Sequence, residues 1–194
     1  MRTKGSDKEK LVSRQPDFAL VKAAINGDAD SFTELCKRYY AAMVAIAHSV
    51  LSDRHLAEDA AQQAFAKAAL KLPQLKNKNK FAGWLAVICR NVAKDTARDT
   101  EKLRTTEDLS VIAAESLGPR LHQDATTGVV REAIAELSAS QKEVVFLRFY
   151  DGMTYERISA VLGISEQAIN GRLRRAKKKI ADYLRRNGFA EVRL

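Results

Sequence analysis

The chain has 194 residues, of which 46% are hydrophobic and 29% are charged, a balance that excludes a disordered or collagen-like protein. It contains only three prolines and nine glycines, so the composition favours helices over the many turns of an all-β sandwich. The formal net charge is +9, which suits a polyanionic partner such as nucleic acid, although a solvated basic surface would have the same charge.

The N-terminal residues do not resemble an export signal. Residues 1–16 are charged throughout and lack an apolar core, and the longest nearly apolar run, from Tyr39 to Leu51, is shorter than the roughly 20 residues that cross a bilayer. We therefore expect a cytoplasmic protein with no membrane association. Cys36 and Cys89 lie far apart without a partner at metal-binding spacing, so both are expected to be buried free thiols.

Hydrophobic spacing predicts four helices in the first part of the chain. The predicted helices cover about 17–25, 31–51, 55–72 and 81–98. Asp30 or Ser31 is expected to cap the second helix and Asp53 the third, while Pro73 ends the third. These four helices form a first module.

A change of composition separates this module from a second one. Residues 99–128 have six acidic against three basic residues and no sustained period, which predicts a flexible linker with a helical turn near 109–114. Beyond it, helices are expected at about 129–137 and from Ser138 to Phe149, with Val144, Val145, Leu147 and Phe149 in the core. The sequence therefore predicts an all-α fold of two small helical domains. The predicted divisions are a basic tail 1–16, a first domain 17–98, a linker 99–128, a second domain 129–187 and a tail 188–194.

The segment from Thr154 to Ile180 fits a helix-turn-helix. Thr154 can cap a short helix, Gly163 stands where the tight turn needs a positive φ, and Ser165 can cap the next helix. The buried stripe of that helix consists of Ile169, Leu173, Ala176 and Ile180, which turns outward Gln167, Asn170, Gly171, Arg174 and Lys178. Residues 165–187 carry eight basic against two acidic residues, which indicates DNA binding. Gly171 costs about 1 kcal/mol inside a helix, and either a close approach to DNA or a tolerated weak position would account for it.

Two stretches resemble a known family. ELSASQKEVVFLRFYDGMTYERISAVLGISEQAINGRLRRAKKKI is similar to region 4 of the extracytoplasmic-function (ECF) group of bacterial sigma factors, and HLAEDAAQQAFAKAALKL followed by FAGWLAVICRNVAKDTARD is similar to their region 2. The resemblance covers about 17–98 and 129–185 in the family's order. It implies a protein that binds core RNA polymerase through the β′ clamp helices and the β flap, recognises and melts promoter DNA, and has an anti-sigma factor as partner.

The resemblance also implies roles for particular residues. Polymerase binding is expected from Asp59, Gln62, Gln63 and Phe65. Binding to the non-template strand of the −10 element is expected from Asn77, Lys78, Asn79, Lys80, Arg90, Asn91, Lys94 and Arg98. Binding to the −35 element is expected from Ser165, Gln167, Asn170, Gly171, Arg172, Arg174, Arg175 and Lys178. Trp84 can either pack in the core or stack on a base.

Two other classes of protein can carry a C-terminal helix-turn-helix. A DNA recombinase needs a catalytic domain, and the first module has no predicted strands, no Gly-rich phosphate loop and no His–carboxylate pair at catalytic spacing. We therefore predict no enzyme, no catalytic residue, no metal and no cofactor. A free-standing transcriptional regulator remains the alternative, and it would bind duplex DNA specifically without polymerase.

Overall fold

The structure of the protein is a computed structural model that describes residues 15–106 and 125–189. All secondary structure in these residues is helical, which confirms the predicted all-α fold. The first module contains α1 (Asp17–Ile25), α2 (Ala29–Leu51), α3 (Arg54–Lys71) and α4 (Phe81–Thr106). The second contains α5 (Ala125–Ala135), α6 (Ala139–Val145), α7 (Tyr155–Leu162) and α8 (Glu166–Arg186).

Shorter helical turns complete the chain path. Two 3₁₀ turns, Leu72–Gln74 and Lys78–Lys80, connect α3 to α4, and a π-helical turn, Phe146–Tyr150, continues α6. The helical turn predicted near 109–114 lies outside the described residues, as does most of both predicted tails. Within the described ranges, no helix is both long enough and apolar enough to span a membrane.

The first module is a bundle in which α2, α3 and α4 pack against one another. The inner face of α3 consists of Ala57, Ala60, Ala61, Ala64 and Ala68, each at most 1% exposed. Because alanine ends at a methyl group, this face lets the neighbouring helices approach closely. The larger side chains that fill the rest of the core come from the neighbours, and they include Leu35, Met43, Ile46, Phe81 and Leu85.

Helices α2 and α3 differ in how their N-termini are capped. The Asp53 carboxylate accepts a hydrogen bond from the Leu56 amide at 2.9 Å, as predicted. Helix α2 begins earlier than predicted, at Ala29, with Asp28 in the N-cap position. The Asp28 carboxylate accepts a hydrogen bond from the Ser31 hydroxyl at 2.5 Å but makes no capping hydrogen bond to a backbone amide of the helix. Neither Asp30 nor Ser31 is therefore the N-cap residue.

Helix α4 runs eight residues beyond its predicted end at Arg98. The chain contains no glycine or proline between Trp84 and Leu117, so nothing in the sequence breaks the helix there. Ion pairs one turn apart link Arg98 to Asp95 at 3.1 Å and Lys102 to Asp99 at 3.9 Å, and such pairs support an exposed helix. The apolar stripe, on which the predicted end is based, stops before the helix does, because the last turns of α4 extend beyond the core.

A π-helical turn changes the orientation of the side chains after α6. The Asp151 amide donates to the Phe146 carbonyl at 3.0 Å, five residues back, and the wider turn rotates the following side chains. Leu147 remains fully buried, whereas Phe149 is 60% and Tyr150 64% exposed. The prediction that Phe149 belongs to the core is therefore wrong.

The helix-turn-helix has the predicted local geometry. The Thr154 hydroxyl accepts a hydrogen bond from the Arg157 amide at 3.3 Å, and the Ser165 hydroxyl accepts one from the Ala168 amide at 3.2 Å. Gly163 ends α7 in the left-handed conformation with φ of 67°. A short turn thus separates the two helices of the motif, and a side-chain hydroxyl caps the N-terminus of each helix.

The two modules pack against each other. Helix α4 contacts α7, and α2 contacts both α6 and the π-helical turn. At this boundary the His48 ring meets the Phe146 ring edge-on, with 4.7 Å between the ring centroids, and burial lowers the pKa of the imidazole. The core of the described residues is therefore continuous across both modules.

We predict that Gly163→Ala destabilises the protein through its backbone alone. A Cβ at this position would have no atom within 4 Å, but the left-handed conformation costs a residue with a side chain about 1–2 kcal/mol. The free energy of unfolding, measured by urea titration, should fall by that amount. Gly83→Ala is the matched control, because its Cβ would meet the Ala160 carbonyl oxygen at an ordinary 3.6 Å within a helix; it should not destabilise. Equal stability of the two variants would contradict the role assigned to the turn.

Candidate nucleic-acid interface

Helix α8 has a buried side and an exposed basic side. Ile169, Leu173 and Ala176 are at most 3% exposed and fix the rotation of the helix about its axis. The predicted −35 residues that are exposed opposite this stripe are Gln167, Asn170, Arg174, Arg175 and Lys178. Arg172 is only half-buried, since at 100° per residue it lies about 60° from Ile169. Arg172 therefore lies at the edge of the core and not at the centre of the exposed face.

Gly171 lies on the exposed side of α8 and is not required there by the protein's own packing. A Cβ at Gly171 would come no closer than 3.5 Å, and the atom it would meet is the Nη1 at the flexible end of Arg175. This is an ordinary van der Waals distance. The protein therefore has room for alanine at this position, and its own packing does not account for the glycine.

Next to α8, the π-helical turn presents an aromatic ring that the sequence did not reveal. The Lys177 ammonium lies 5.6 Å from the centroid of the Phe149 ring. Both residues line an open cleft of about 330 Å³ together with Asn170 and Arg174. Exposed aromatic faces beside cations are able to contact bases and phosphates, and the π-helical turn that exposes Phe149 leaves no mark in hydrophobic periodicity.

The loop before α4 is ordered by its own asparagine. The Asn77 side-chain oxygen accepts a hydrogen bond from the Asn79 amide at 3.1 Å. Asn77, Asn79 and Lys80 are exposed and Lys78 is half-buried. The loop thus presents amide and ammonium groups from a defined turn, which suits contact with an unpaired strand.

A second open cleft, of about 470 Å³, lies between this loop, α4 and the turn after α7. Its lining includes Asn77, Lys80 and Trp84 from the first module and Leu162 and Gly163 from the second. Trp84 is half-buried, with its ring centroid 6.0 Å from that of Phe81. The indole therefore both packs on the core and lines the cleft, so neither of its two predicted roles is excluded.

The predicted −10 residues of α4 divide into two groups. Asn91, Lys94 and Arg98 are exposed. Arg90 is half-buried, and its Nε lies 2.6 Å from the Glu143 Oε1 of α6. Sequence reasoning could not find this pair because its members are 53 residues apart.

Helix α3 presents a polar face with one large apolar side chain. Asp59, Gln62 and Gln63 are exposed, and Leu70, on the same face eleven residues after Asp59, is 81% exposed. Phe65 is different, since only 7% of it is exposed. Its ring stacks on that of Tyr40, with the centroids 6.5 Å apart, so it supports the helix from behind the face.

Burial weakens the acidity of both thiols. Burial raises the pKa of Cys36 to about 11 and that of Cys89 to about 12, so both are protonated at neutral pH. Cys89 is buried and donates its hydrogen to the Met43 carbonyl at 3.2 Å, whereas Cys36 is only half-buried. Among the described residues, no cluster of His, Cys, Asp or Glu is arranged to hold a metal ion.

Comparison with known proteins identifies both modules. The family models for sigma-70 region 2 and sigma-70 region 4 match residues 35–103 and 127–180. The ECF RNA polymerase sigma factor SigW of Bacillus subtilis is 24% identical over 85% of this chain and 95% of its own length. The chain belongs to the sigma-70 family, in its ECF group. The predicted family resemblance is thereby confirmed.

Other relatives agree with this assignment. The probable RNA polymerase sigma factor RfaY of Xanthomonas campestris is 28% identical over 73% of this chain, which spans only 37% of the length of that relative. A solved structure of the sigma factor RpoE in complex with the anti-sigma factor NepR, from Bartonella quintana, is 25% identical. It has a TM-score of 0.54 and covers 81% of this chain and 98% of its own.

In this sigma factor the match to region 2 runs from within α2 to within α4, and the match to region 4 runs from α5 into α8. The three predicted binding sets therefore fall on α3, on the loop with α4, and on α8. The loop set and the α4 set lie side by side, whereas the polar face of α3 is a separate surface. The roles of individual residues within these sets stay predictions.

We predict that Gly171→Ala has opposite effects on stability and on DNA binding. Alanine should raise the free energy of unfolding by about 1 kcal/mol, because the protein has room for the methyl group and alanine favours helix. Affinity for duplex DNA carrying the −35 element should fall, because the methyl group would keep the helix backbone away from DNA. Urea titration and fluorescence anisotropy measure the two effects. Unchanged DNA affinity would make Gly171 a tolerated weak position.

Proposed function

We propose that this ECF sigma factor binds core RNA polymerase, directs it to promoters and takes part in melting the −10 element. The observation that carries the proposal is that regions 2 and 4 occur in one chain in the family's order. Each region also has an exposed polar or basic face formed by residues predicted to bind. A sigma factor acts on the chromosome, so its place is the cytoplasm, and it supplies promoter recognition while the polymerase supplies the chemistry.

Polymerase binding is assigned to the exposed face of α3. Asp59, Gln62 and Gln63 offer hydrogen-bonding groups to the β′ clamp helices, and the 81% exposed Leu70 adds apolar area on the same face. Exposed large apolar side chains on a polar surface are typical of docking sites. Phe65 positions this face by packing on Tyr40. The second predicted contact, between the β flap and region 4, has no residue assigned to it.

Capture of the −10 element is assigned to the loop and α4. The ordered loop at Asn77 and the open cleft beside Trp84 can receive an unstacked base, while exposed Lys80, Lys94 and Arg98 follow the strand. A basic groove with an aromatic platform is the common design for binding single strands. A base that leaves the duplex loses stacking energy, which such contacts offset.

Recognition of the −35 element is assigned to α8. Gln167 and Asn170 lie near its N-terminal end, where a recognition helix reaches base edges in the major groove. Arg174, Arg175 and Lys178 follow along the same face and are suited to phosphates. Contacts to bases would decide the sequence read, and contacts to phosphates would decide the affinity.

An anti-sigma factor is proposed as the regulatory partner. The support is the similarity to RpoE in its complex with NepR. The alternative of a free-standing regulator is disfavoured, because the first module matches sigma-70 region 2. A free-standing regulator would not need a helix face that binds polymerase.

We predict that Asp59→Ala combined with Gln62→Ala weakens binding to core RNA polymerase by at least about tenfold, the loss expected when central interface side chains are truncated. Both side chains are exposed, so the fold should be unaffected. Biolayer interferometry with immobilised core enzyme measures the affinity. The control is Glu136→Ala, which removes an exposed carboxylate from the second module. If both proteins bind as tightly as the wild type, α3 is not the docking surface.

We predict that Gln167→Ala and Asn170→Ala relax sequence preference in the −35 element and leave the −10 preference intact. An amide that pairs with adenine contributes about 1–3 kcal/mol of discrimination. Reconstituted transcription with core polymerase and a promoter library measures both preferences at once. Lys178→Ala is the control, since loss of a phosphate contact should weaken all sequences alike and reduce the salt slope by about 0.9. If the wild-type protein supported no transcription from any sequence in the library, the sigma-factor function would be refuted.

A further inference from the structure

A partly buried ion pair joins the two modules at the helix of region 2 that is proposed to bind DNA. The Nε of Arg90 on α4 lies 2.6 Å from the Oε1 of Glu143 on α6, and their side chains are 25% and 9% exposed. Charges taken out of water need their partners, because an unpaired buried charge is strongly unfavourable. Arg90 is also one of the residues expected to bind the −10 strand. In this structure its charge is already neutralised by region 4.

Other contacts close the same boundary. The Arg157 guanidinium of α7 donates to the Arg38 carbonyl at 3.4 Å, and the His48 ring meets the Phe146 ring. The turn at Leu162 and Gly163 forms one wall of the cleft that contains Trp84 and the −10 loop. Region 4 therefore covers part of the surface that region 2 would offer to a captured strand.

Promoter geometry does not permit this arrangement. Elements centred 10 and 35 base pairs upstream lie about 85 Å apart at about 3.4 Å per base pair. Here Gly163, two residues before the cap of α8, lines the same cleft as Lys80 of the −10 loop. The two DNA-binding surfaces cannot contact both elements until the modules separate.

We propose that Arg90 is a latch residue with two mutually exclusive partners, Glu143 in the closed free protein and the −10 strand in the promoter complex. Separation of the modules breaks the pair and frees the guanidinium at the moment when the cleft opens. The DNA half of this proposal rests on the function proposed above. The closed half rests on the intramolecular contacts alone.

Glu143→Gln tests the latch with minimal change of shape, since it removes the charge and keeps the volume. The matched control is Glu58→Gln. Glu58 Oε1 pairs with the Nε of Arg54 at 2.9 Å, so the same chemical change is made in an ion pair that lies within one helix and joins no modules.

The opening can be measured without DNA or polymerase through Trp84, the single tryptophan of the chain. When region 4 leaves the cleft, the indole gains contact with water. The emission of Glu143→Gln should therefore shift to longer wavelength, and quenching by acrylamide should increase, while Glu58→Gln behaves like the wild type. Unchanged emission and quenching in Glu143→Gln would overturn the latch whatever the function of the protein.

The competition with DNA can be measured with a fluorescein-labelled single-stranded 12-mer of random sequence. Release of Arg90 should raise the affinity of Glu143→Gln about fivefold, at the low end of coupling between sites. It should also steepen the slope of log K against log salt by about 0.7, the value for one added contact to a single strand. If Glu143→Gln opens but neither its affinity for the 12-mer nor its salt slope changes, Arg90 is not the residue that Glu143 and the −10 strand share. No binding by any protein, including the wild type, would instead refute the proposed function of region 2.

A second pair of changes covers the case in which Glu143→Gln fails to fold, as judged by circular dichroism. The exchange Arg90→Glu with Glu143→Arg restores the ion pair with reversed polarity. It should show wild-type Trp84 emission and a weaker affinity for the 12-mer, because closure is retained and the cation of α4 is lost. An open protein, or one with wild-type affinity, would contradict the proposal.

Discussion

The packing of α4 is the constraint on which the proposed functional surfaces depend, because α4 contacts α3 in region 2 and α7 in region 4. One side of this helix places Phe81, Leu85 and Cys89 in the core of region 2, each fully buried. Since a helix turns by about 100° per residue, that anchoring determines where Asn91, Lys94 and Arg98 point. It also places Trp84 at the edge of the core, where the indole can line a cleft. The side chains proposed to face DNA therefore need no packing of their own.

The alanine face of α3 has a related consequence for the polymerase. Because its inner side consists of methyl groups, α3 lies close to α2 and α4 without using its polar residues in the fold. Asp59, Gln62 and Gln63 remain available on the outside. A docking surface built on a rigid, closely packed helix can bind with little loss of conformational entropy.

Region 4 combines the helix proposed to read the −35 element with the boundary that we propose opens. The caps at Thr154 and Ser165 and the left-handed Gly163 hold α7 and α8 at a fixed angle, so the recognition helix is preorganised. The boundary with region 2 includes an ion pair, one long hydrogen bond and an edge-on ring contact, beside the apolar packing that the two modules share. The polar contacts can be exchanged for contacts with DNA or polymerase, whereas opening also exposes part of the shared apolar packing.

Local signals in the sequence by themselves determined the helices, the caps at Asp53, Thr154 and Ser165, the positive φ of Gly163 and the family, because each depends on residues within a few positions of one another. Only the tertiary structure decided the rest. The π-helical turn exposes Phe149 by a change of hydrogen bonding that hydrophobic spacing does not encode. Phe65, one of the residues expected to bind polymerase, is only 7% exposed and stacks on Tyr40, a contact that helical periodicity does not reveal. The partner of Arg90 is 53 residues away, and no local pattern identifies a contact that forms only when two modules meet.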